Sequence, residues 1–376
     1  MSATYDVILI GLGAMGSAAA AQLAARGQRV LGLDRYFPPH DRGSSHGQSR
    51  VIRQAYFESP SYVPLLLRAY ELWRELEDHS GSSLLVVTGG LMLGRSDSAV
   101  VAGSLRSARA HGLPHELLDA QQIRRYFPAF APGEDIVALF EANAGFVHAE
   151  LAVRAQLDRA AHLGATLLFK EEVTAWQVSA SGVRINTKRG SYHAAQLVIC
   201  AGAWAGRFLA PLVLPLRVER QVQFWFEPRG DAGGFAPDRF PIWIWDIGEG
   251  AYPYGLPAID TAVKVALHGP GRECTVDTIE RKVREEDVEA MRAVLRPLIP
   301  VLSGRCVDAV PCLYTSTPDG HFVLDRHPGH DAVWIVSPCS GHGFKFSPVI
   351  GEIVADLVSE GRTRHDIGLF GLSRFL

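Results

Sequence analysis

Asp6-Val7-Ile8-Leu9-Ile10-Gly11-Leu12-Gly13-Ala14-Met15-Gly16 opens the chain, and the stretch from Ser17 to Arg26 behind it is rich in alanine. An apolar run dominated by β-branched side chains, then glycines, then an alanine stretch reads as strand, tight turn and helix. In Gly11-x-Gly13-x-x-Gly16 the first glycine permits the turn, and the second lets a pyrophosphate approach the backbone. The third lets helix and strand pack closely. Ala14 and Met15 belong to the same turn, and the helix start aims unpaired N–H groups and its positive dipole end at the phosphates. Gly27 ends that helix, Arg29 to Leu33 gives a second strand, and Asp34 follows Gly16 by 18 residues. An acid at that distance is placed to accept hydrogen bonds from an adenosine ribose. Arg35 beside it stands where a 2′-phosphate would find a partner, although a solvated arginine is the plainer reading. The order of these pieces predicts a Rossmann-like dinucleotide domain, and the motif by itself does not separate NAD from FAD.

The rest of the chain bounds the answer. It has 376 residues, 37 Lys+Arg against 40 Asp+Glu, and 47% hydrophobic residues, which is enough to bury a large core. Length favours two domains. A net charge of −3 without a basic run argues against nucleic acid as the main partner. No uninterrupted apolar stretch reaches membrane-spanning length. Five cysteines without a CxxC pair suit free thiols in a reducing compartment, hence a cytoplasmic protein. Helices are expected over Ser61 to Asp78, Leu151 to Leu163, Ile279 to Leu295 and Pro348 to Glu360. Residues Val213 to Leu267 read mostly as alternating strands, with Trp243 and Trp245 on one face and Ile244 on the other. Both ends of the chain look like an open α/β sheet, with antiparallel material inserted between its pieces. His327-x-x-His330 lies in a Pro/Gly-rich loop with no third ligand nearby, so solvated histidines and no metal site are expected.

Three further strings carry a resemblance. They are Gly43-Ser-Ser-His-Gly-Gln-Ser-Arg50-Val-Ile-Arg53, Pro311-Cys312-Leu-Tyr314-Thr-Ser-Thr-Pro-Asp319 and Ser340-Gly-His-Gly-Phe-Lys345-Phe346. Together with the opening motif they resemble the monomeric sarcosine oxidase and N-methyltryptophan oxidase family of flavoproteins, from Tyr5 nearly to the end of the chain. The resemblance implies an α/β fold with a Rossmann-like FAD-binding domain of the glutathione-reductase and D-amino-acid-oxidase type. That domain takes residues 1–85, 145–212 and 313–376. An interleaved antiparallel-sheet α+β substrate domain takes 86–144 and 213–312.

It also implies roles, position by position. FAD is linked through a ring methyl to the thiol of Cys312, which by itself reads as a buried inert cysteine. Ser44, His46, Ser49 and Arg50 of the first string face the cofactor, as do Gly341, Gly343, Phe344 and Lys345 of the last, with Val173, Gly202 and Trp204 between them. Arg53 and Lys345 hold the substrate carboxylate, a fork and a point charge. Lys264 assists oxygen, Arg50 lies at the flavin face, and His268 and Tyr314 line the substrate position with Ile244 and Tyr254. The implied reaction is oxidation of a secondary, N-methyl amino acid to an imine by a monomer, with oxygen reduced to hydrogen peroxide.

Some positions depart from the family pattern. Tyr252-Pro253-Tyr254-Gly255 carries Pro253 where sarcosine-specific enzymes have a second tyrosine, and Cys339 stands where an aromatic is usual. These departures fit a larger or more apolar N-substituted amino acid. A cyclic amino acid of the pipecolate or proline type and a fructosyl amino acid remain alternatives on the same scaffold. An NAD-linked dehydrogenase or a non-catalytic FAD-binding protein are alternatives of another class.

Overall fold

The structure is a computed structural model and describes residues 4–212 and 214–375. Val213, where the second domain is expected to resume, lies outside the described residues. Five parallel strands form the heart of an eight-stranded sheet, in the order Thr166–Phe169, Val30–Asp34, Thr4–Ile10, Ser191–Ile199 and His330–Ser337. Val7, Ile8 and Leu9 are fully buried because this central strand is covered on both faces, which is why its sequence is continuously apolar rather than alternating. The hairpin Val173–Ser179 with Gly182–Thr187 and the antiparallel strand Val323–His327 complete the sheet.

The helix Ala14–Ala25 packs between the helices Ala149–His162 and Ser347–Glu360. Its alanines matter because the approach is close. A Cβ on Gly351 would sit 2.7 Å from the backbone carbon and oxygen of Ala18. A Cβ on Gly16 would meet the Gly11 carbonyl at 1.8 Å, as a close helix–strand turn requires.

A nine-stranded sheet supplies the other layer. It runs Arg272–Glu273, Arg217–Phe226, Val263–His268, Tyr252–Leu256, Ile242–Trp245, Gly90–Arg95, Ile136–Glu141 and Glu116–Leu118, with Cys306–Ser316 pairing along Arg217–Phe226. All its pairings are antiparallel except that of Ile242–Trp245 with Gly90–Arg95. Trp243 and Trp245 are buried in its core with Phe224 and Phe226. Leu85–Val87, Gly145–His148 and Ser49–Ile52 form a separate three-stranded antiparallel sheet.

Three sequence expectations shift. The helix expected from Ile279 begins at Glu285 and runs to Leu298. The Glu280 and Lys282 carbonyls instead accept from the Arg220 guanidinium, which also pairs with Asp287, so the chain is held extended until the acidic first turn. The strand Cys306–Ser316 runs unbroken through the expected boundary at 312/313 and stays paired to the second sheet up to Ser316. His327 is 7% exposed rather than solvated, because it packs edge-on against Trp176 at the end of a paired strand.

Candidate active site

A single cavity of about 520 Å³ runs from the carboxyl ends of the parallel strands, at Ile10, Asp34 and Cys200, to the face of the second sheet at Ile244 and His268. Open α/β sheets bind ligands at that edge. Gly11 adopts a φ of +93° there, and a Cβ on it would meet the Cys200 carbonyl at 2.6 Å. Gly13 lines the cavity, and only the Ser45 hydroxyl stands within 4 Å of where its Cβ would be, so the approach to its backbone is clear. Asp34 accepts from Leu12 N through Oδ2 and from Tyr36 N through Oδ1, both at 2.8 Å. This holds the strand end against the glycine turn while the carboxylate still borders the cavity. Arg35, Val173, Gly202 and Trp204 line the same end, and Arg35 is paired with Glu172 at 3.3 Å.

Midway along, the segment from Ser44 to Arg50 is stitched to the strand Cys306–Ser316. Ser44 Oγ donates to Leu313 O at 2.6 Å, and His46 Nε2 bonds Pro311 O at 3.0 Å. Burial first, then Arg50, holds His46 down to about 4, so it is a neutral strut. Arg50 donates to the carbonyls of Ser44, His46 and Ser49 and to Gln223 Oε1, and its Nη2 lies 3.9 Å from Cys312 Sγ. Lys264 is 2% exposed and donates to Gly47 O and Ser49 O, both at 2.6 Å. Burial and the nearby Arg50 push its ammonium well below the usual lysine range. His46, Ser49 and Lys264 thus stand behind the cavity wall rather than on it, whereas Arg50, Cys312, Gly341, Gly343 and Phe344 line it.

The far end divides by charge. Arg53 is 2% exposed and Lys345 6%, and both border the cavity. Arg53 grips Glu58 through Nη2 at 2.7 and 2.9 Å. Lys345 Nζ donates to His342 O at 2.7 Å and reaches Tyr56 Oη at 3.5 Å. Burial, with Arg53 adding to it, lowers Lys345 to about 7. Among the described residues neither Lys345, Lys264 nor Arg50 has a carboxylate within ion-pair distance. Facing these cations are uncharged groups: Ile244, Tyr254, Phe57, Tyr314 and His268. The Tyr314 hydroxyl is 3.5 Å from His268 Nδ1, and burial lowers His268 to about 4, so the imidazole is neutral. A cavity with a phosphate-ready turn at one end and unpaired buried cations beside a neutral aromatic wall at the other suits a dinucleotide and a small acid.

The model of the DAO family, described as FAD dependent oxidoreductase, matches residues 6–357. The chain belongs to the DAO family of FAD-dependent oxidoreductases. It is 53% identical to a monomeric sarcosine oxidase of Streptomyces avermitilis, covering 98% of this chain and 97% of that one. It is 38% identical to an N-methyl-L-tryptophan oxidase of Salmonella dublin, covering 99% of both. Among solved structures, NikD, described as an unusual amino acid oxidase essential for nikkomycin biosynthesis, superposes with a TM-score of 0.86 at 25% identity over 98% of this chain. FAD fits the DAO cavity at its glycine turn, where a clear approach to Gly13 meets the helix amino terminus.

Sequence reading passed over Glu58, Tyr56 and His342, all within reach of the two cations. His342 sits inside the string Ser340 to Phe346 and Glu58 five residues after Arg53, yet neither spacing signals a role. The pairing of Tyr56 with His342 comes from folding two distant segments together, whereas Glu58 pairs with Arg53 within one segment.

Proposed function

We propose that this chain oxidises a secondary, N-methyl amino acid bearing a free carboxylate, giving an imine that water converts to formaldehyde and the primary amino acid. The observation that carries this is the charge division of the cavity. Lys345 and Arg53, the latter held at Nη2 by Glu58, offer a carboxylate two buried cations, a point charge and a guanidinium. The wall of Tyr254, Tyr314, neutral His268 and Ile244 carries no anion, and the carboxylate that borders this end, Glu58, is held by Arg53. Only an amine with a free lone pair can be oxidised, so turnover rises with pH through the bound substrate's pKa. Bound FAD supplies the two-electron acceptor and passes the electrons to oxygen, yielding hydrogen peroxide.

The residues around it take distinct parts. Gly11, Gly13, Ala14 and Met15, which line the cavity, would hold the pyrophosphate, and Asp34 the ribose. Cys312 would carry the flavin as a thioether, with an Arg50 nitrogen 3.9 Å from its Sγ. Lys264, buried behind the wall and donating to the Gly47 and Ser49 carbonyls, would favour negative charge building on oxygen when it is protonated. Segments 1–85, 145–212 and 313–376 serve the cofactor and 86–144 and 213–312 the substrate, with the strand Cys306–Ser316 shared between them. Five free cysteines support a reducing, cytoplasmic setting, and we read the chain as a monomer.

A substrate panel tests the reading. Sarcosine, N-methyl-L-tryptophan, proline and pipecolate are each assayed for peroxide and formaldehyde. Equal yields of both with an N-methyl amino acid are expected. Peroxide without formaldehyde, confined to the cyclic acids, replaces N-demethylation by ring oxidation. No peroxide with any of them removes the oxidase reading.

A further inference from the structure

We propose that Tyr56, locked by His342, is the positioning residue of the carboxylate clamp, holding the Lys345 ammonium and spacing it from the Arg53 guanidinium. The inference rests on reading Arg53 and Lys345 as that clamp.

Tyr56 is fully buried and does not border the cavity, so it acts through its neighbours. Both cations lie over its ring: Arg53 Cζ is 4.2 Å and Lys345 Nζ 5.2 Å from the centroid. Two like charges in a dry cavity repel, and an aromatic ring that attracts each of them offsets that repulsion. The hydroxyl adds direction. His342 Nε2 is 2.9 Å from Gly320 O, and a carbonyl only accepts, so Nε2 carries the proton. Burial, with Lys345 adding to it, holds His342 at about 3, so the ring is neutral and its Nδ1 is a bare acceptor. Tyr56 Oη, 2.6 Å from that Nδ1, must therefore donate to it. Its oxygen lone pairs are left for Lys345 Nζ at 3.5 Å, whose shorter bond goes to the backbone carbonyl of the same His342 at 2.7 Å. Two of the three ammonium protons are thus directed, and the third is free for the cavity. The frame is itself fixed: Ser107 Oγ donates to Tyr56 O at 2.5 Å, Ala55 N to Glu141 Oε2 at 2.8 Å, and Trp73 Nε1 to Lys345 O at 3.0 Å.

The test uses the holoenzyme and calorimetric titration with propanoate from pH 6 to 9, with uncharged propanamide as control. The charged or titratable groups facing Lys345 are Arg53, Arg50, Glu58, His268 and His342. The arginines stay charged, and Glu58 at about 2 and the histidines at about 4 and 3 do not change state in this window. Of these groups it is Lys345 that titrates near 7, so propanoate affinity is full below that pH and falls above it, by up to about tenfold per pH unit. Tyr56→Phe keeps the ring and removes the acceptor of the ammonium. Its affinity should begin to fall about one pH unit earlier, and at pH 8 its substrate KM should rise roughly tenfold while kcat changes much less. Lys345→Met should lose the pH step altogether. If the step vanishes in Lys345→Met but Tyr56→Phe keeps the parent's step and affinity, the role of Tyr56 is refuted and the clamp stands. If the step survives in Lys345→Met, the clamp reading itself fails. A Tyr56→Phe protein that melts earlier yet binds propanoate as the parent does also refutes the proposal.

Discussion

Glu58 holds Nη2 of the Arg53 guanidinium with both carboxylate oxygens, so an incoming carboxylate must compete with it for that nitrogen. Burial pushes its carboxyl up, but Arg53 and then His342 and Lys345 outweigh that and bring it to about 2. Its folded pKa lies below the ordinary 4.5, so the stability it contributes is complete above pH 4.5 and is lost as pH falls toward 2. That shift corresponds to about 3 kcal/mol. Glu58→Gln should therefore melt earlier than the parent at pH 7, since Arg53 loses its buried partner. Its melting temperature should also be flatter between pH 4.5 and 2. The same variant should bind propanoate roughly tenfold more tightly, because a neutral amide competes poorly for the fork. Unchanged propanoate affinity would show that Glu58 is no competitor. Behind the fork, Glu141 is 1% exposed and accepts from Gln54 N at 2.7 Å and Ala55 N at 2.8 Å. It sets the backbone that leaves Arg53, and burial pushes its own carboxyl up.

At the scale of elements, the dinucleotide turn is only as well placed as the helix that carries it. Ala14–Ala25 is pressed between two other helices, and its contact with Ser347–Glu360 depends on Gly351 having no side chain. Gly351→Ala would set a methyl 2.7 Å from the Ala18 backbone and force the helices apart. Overpacking of that kind costs about 1–3 kcal/mol. The variant should melt measurably earlier and retain less FAD, whereas Gly206→Ala, with nothing within 4 Å of its Cβ, should do neither. Equal melting of the two variants would remove the close-packing account. The antiparallel ladder of Arg217–Phe226 with Cys306–Ser316 does the matching work at the other end, since it carries Gln223, Cys312 and Tyr314 to the cavity on adjacent strands.

Across the whole molecule, one sheet supplies the glycine-turn end of the cavity and the other its aromatic wall, so a ligand spanning it would brace both. If Cys312 carries the flavin, dilution cannot remove this bracing. Cys312→Ser should release the yellow colour into the supernatant after acid precipitation. It should also make the melting temperature rise with added FAD, by the equivalent of about 2.7 kcal/mol at a hundredfold excess over Kd. The parent should keep its colour in the pellet and ignore added FAD. A parent that releases its flavin in acid has no thioether. Among the described residues no helix is long and apolar enough to cross a membrane.

The opening strand, glycine turn, helix and Asp34 were legible because each is a local requirement: a positive φ at Gly11, a missing Cβ at Gly16 and a buried apolar strand leave their mark within a few residues. The interleaving of two sheets was legible from strand patterning, and FAD dependence from three unusual strings, although the start of the helix at Glu285 was not. That start depends on Arg220, more than 60 residues away in sequence, taking the carbonyls that a longer helix would have used. The site divides the same way. The resemblance named Arg53, Lys345 and Cys312, and all three line the cavity, but the placing of Lys264 behind the wall, the pairing of Arg53 with Glu58 and that of Tyr56 with His342 could not be foreseen. The Lys264 and Tyr56 contacts join segments 217 and 286 residues apart, the Arg53–Glu58 pair is local but unmarked by its spacing, and their charge states follow from burial. Local backbone geometry is written in short stretches of sequence, whereas desolvation and through-space charge exist only once the chain has closed around them.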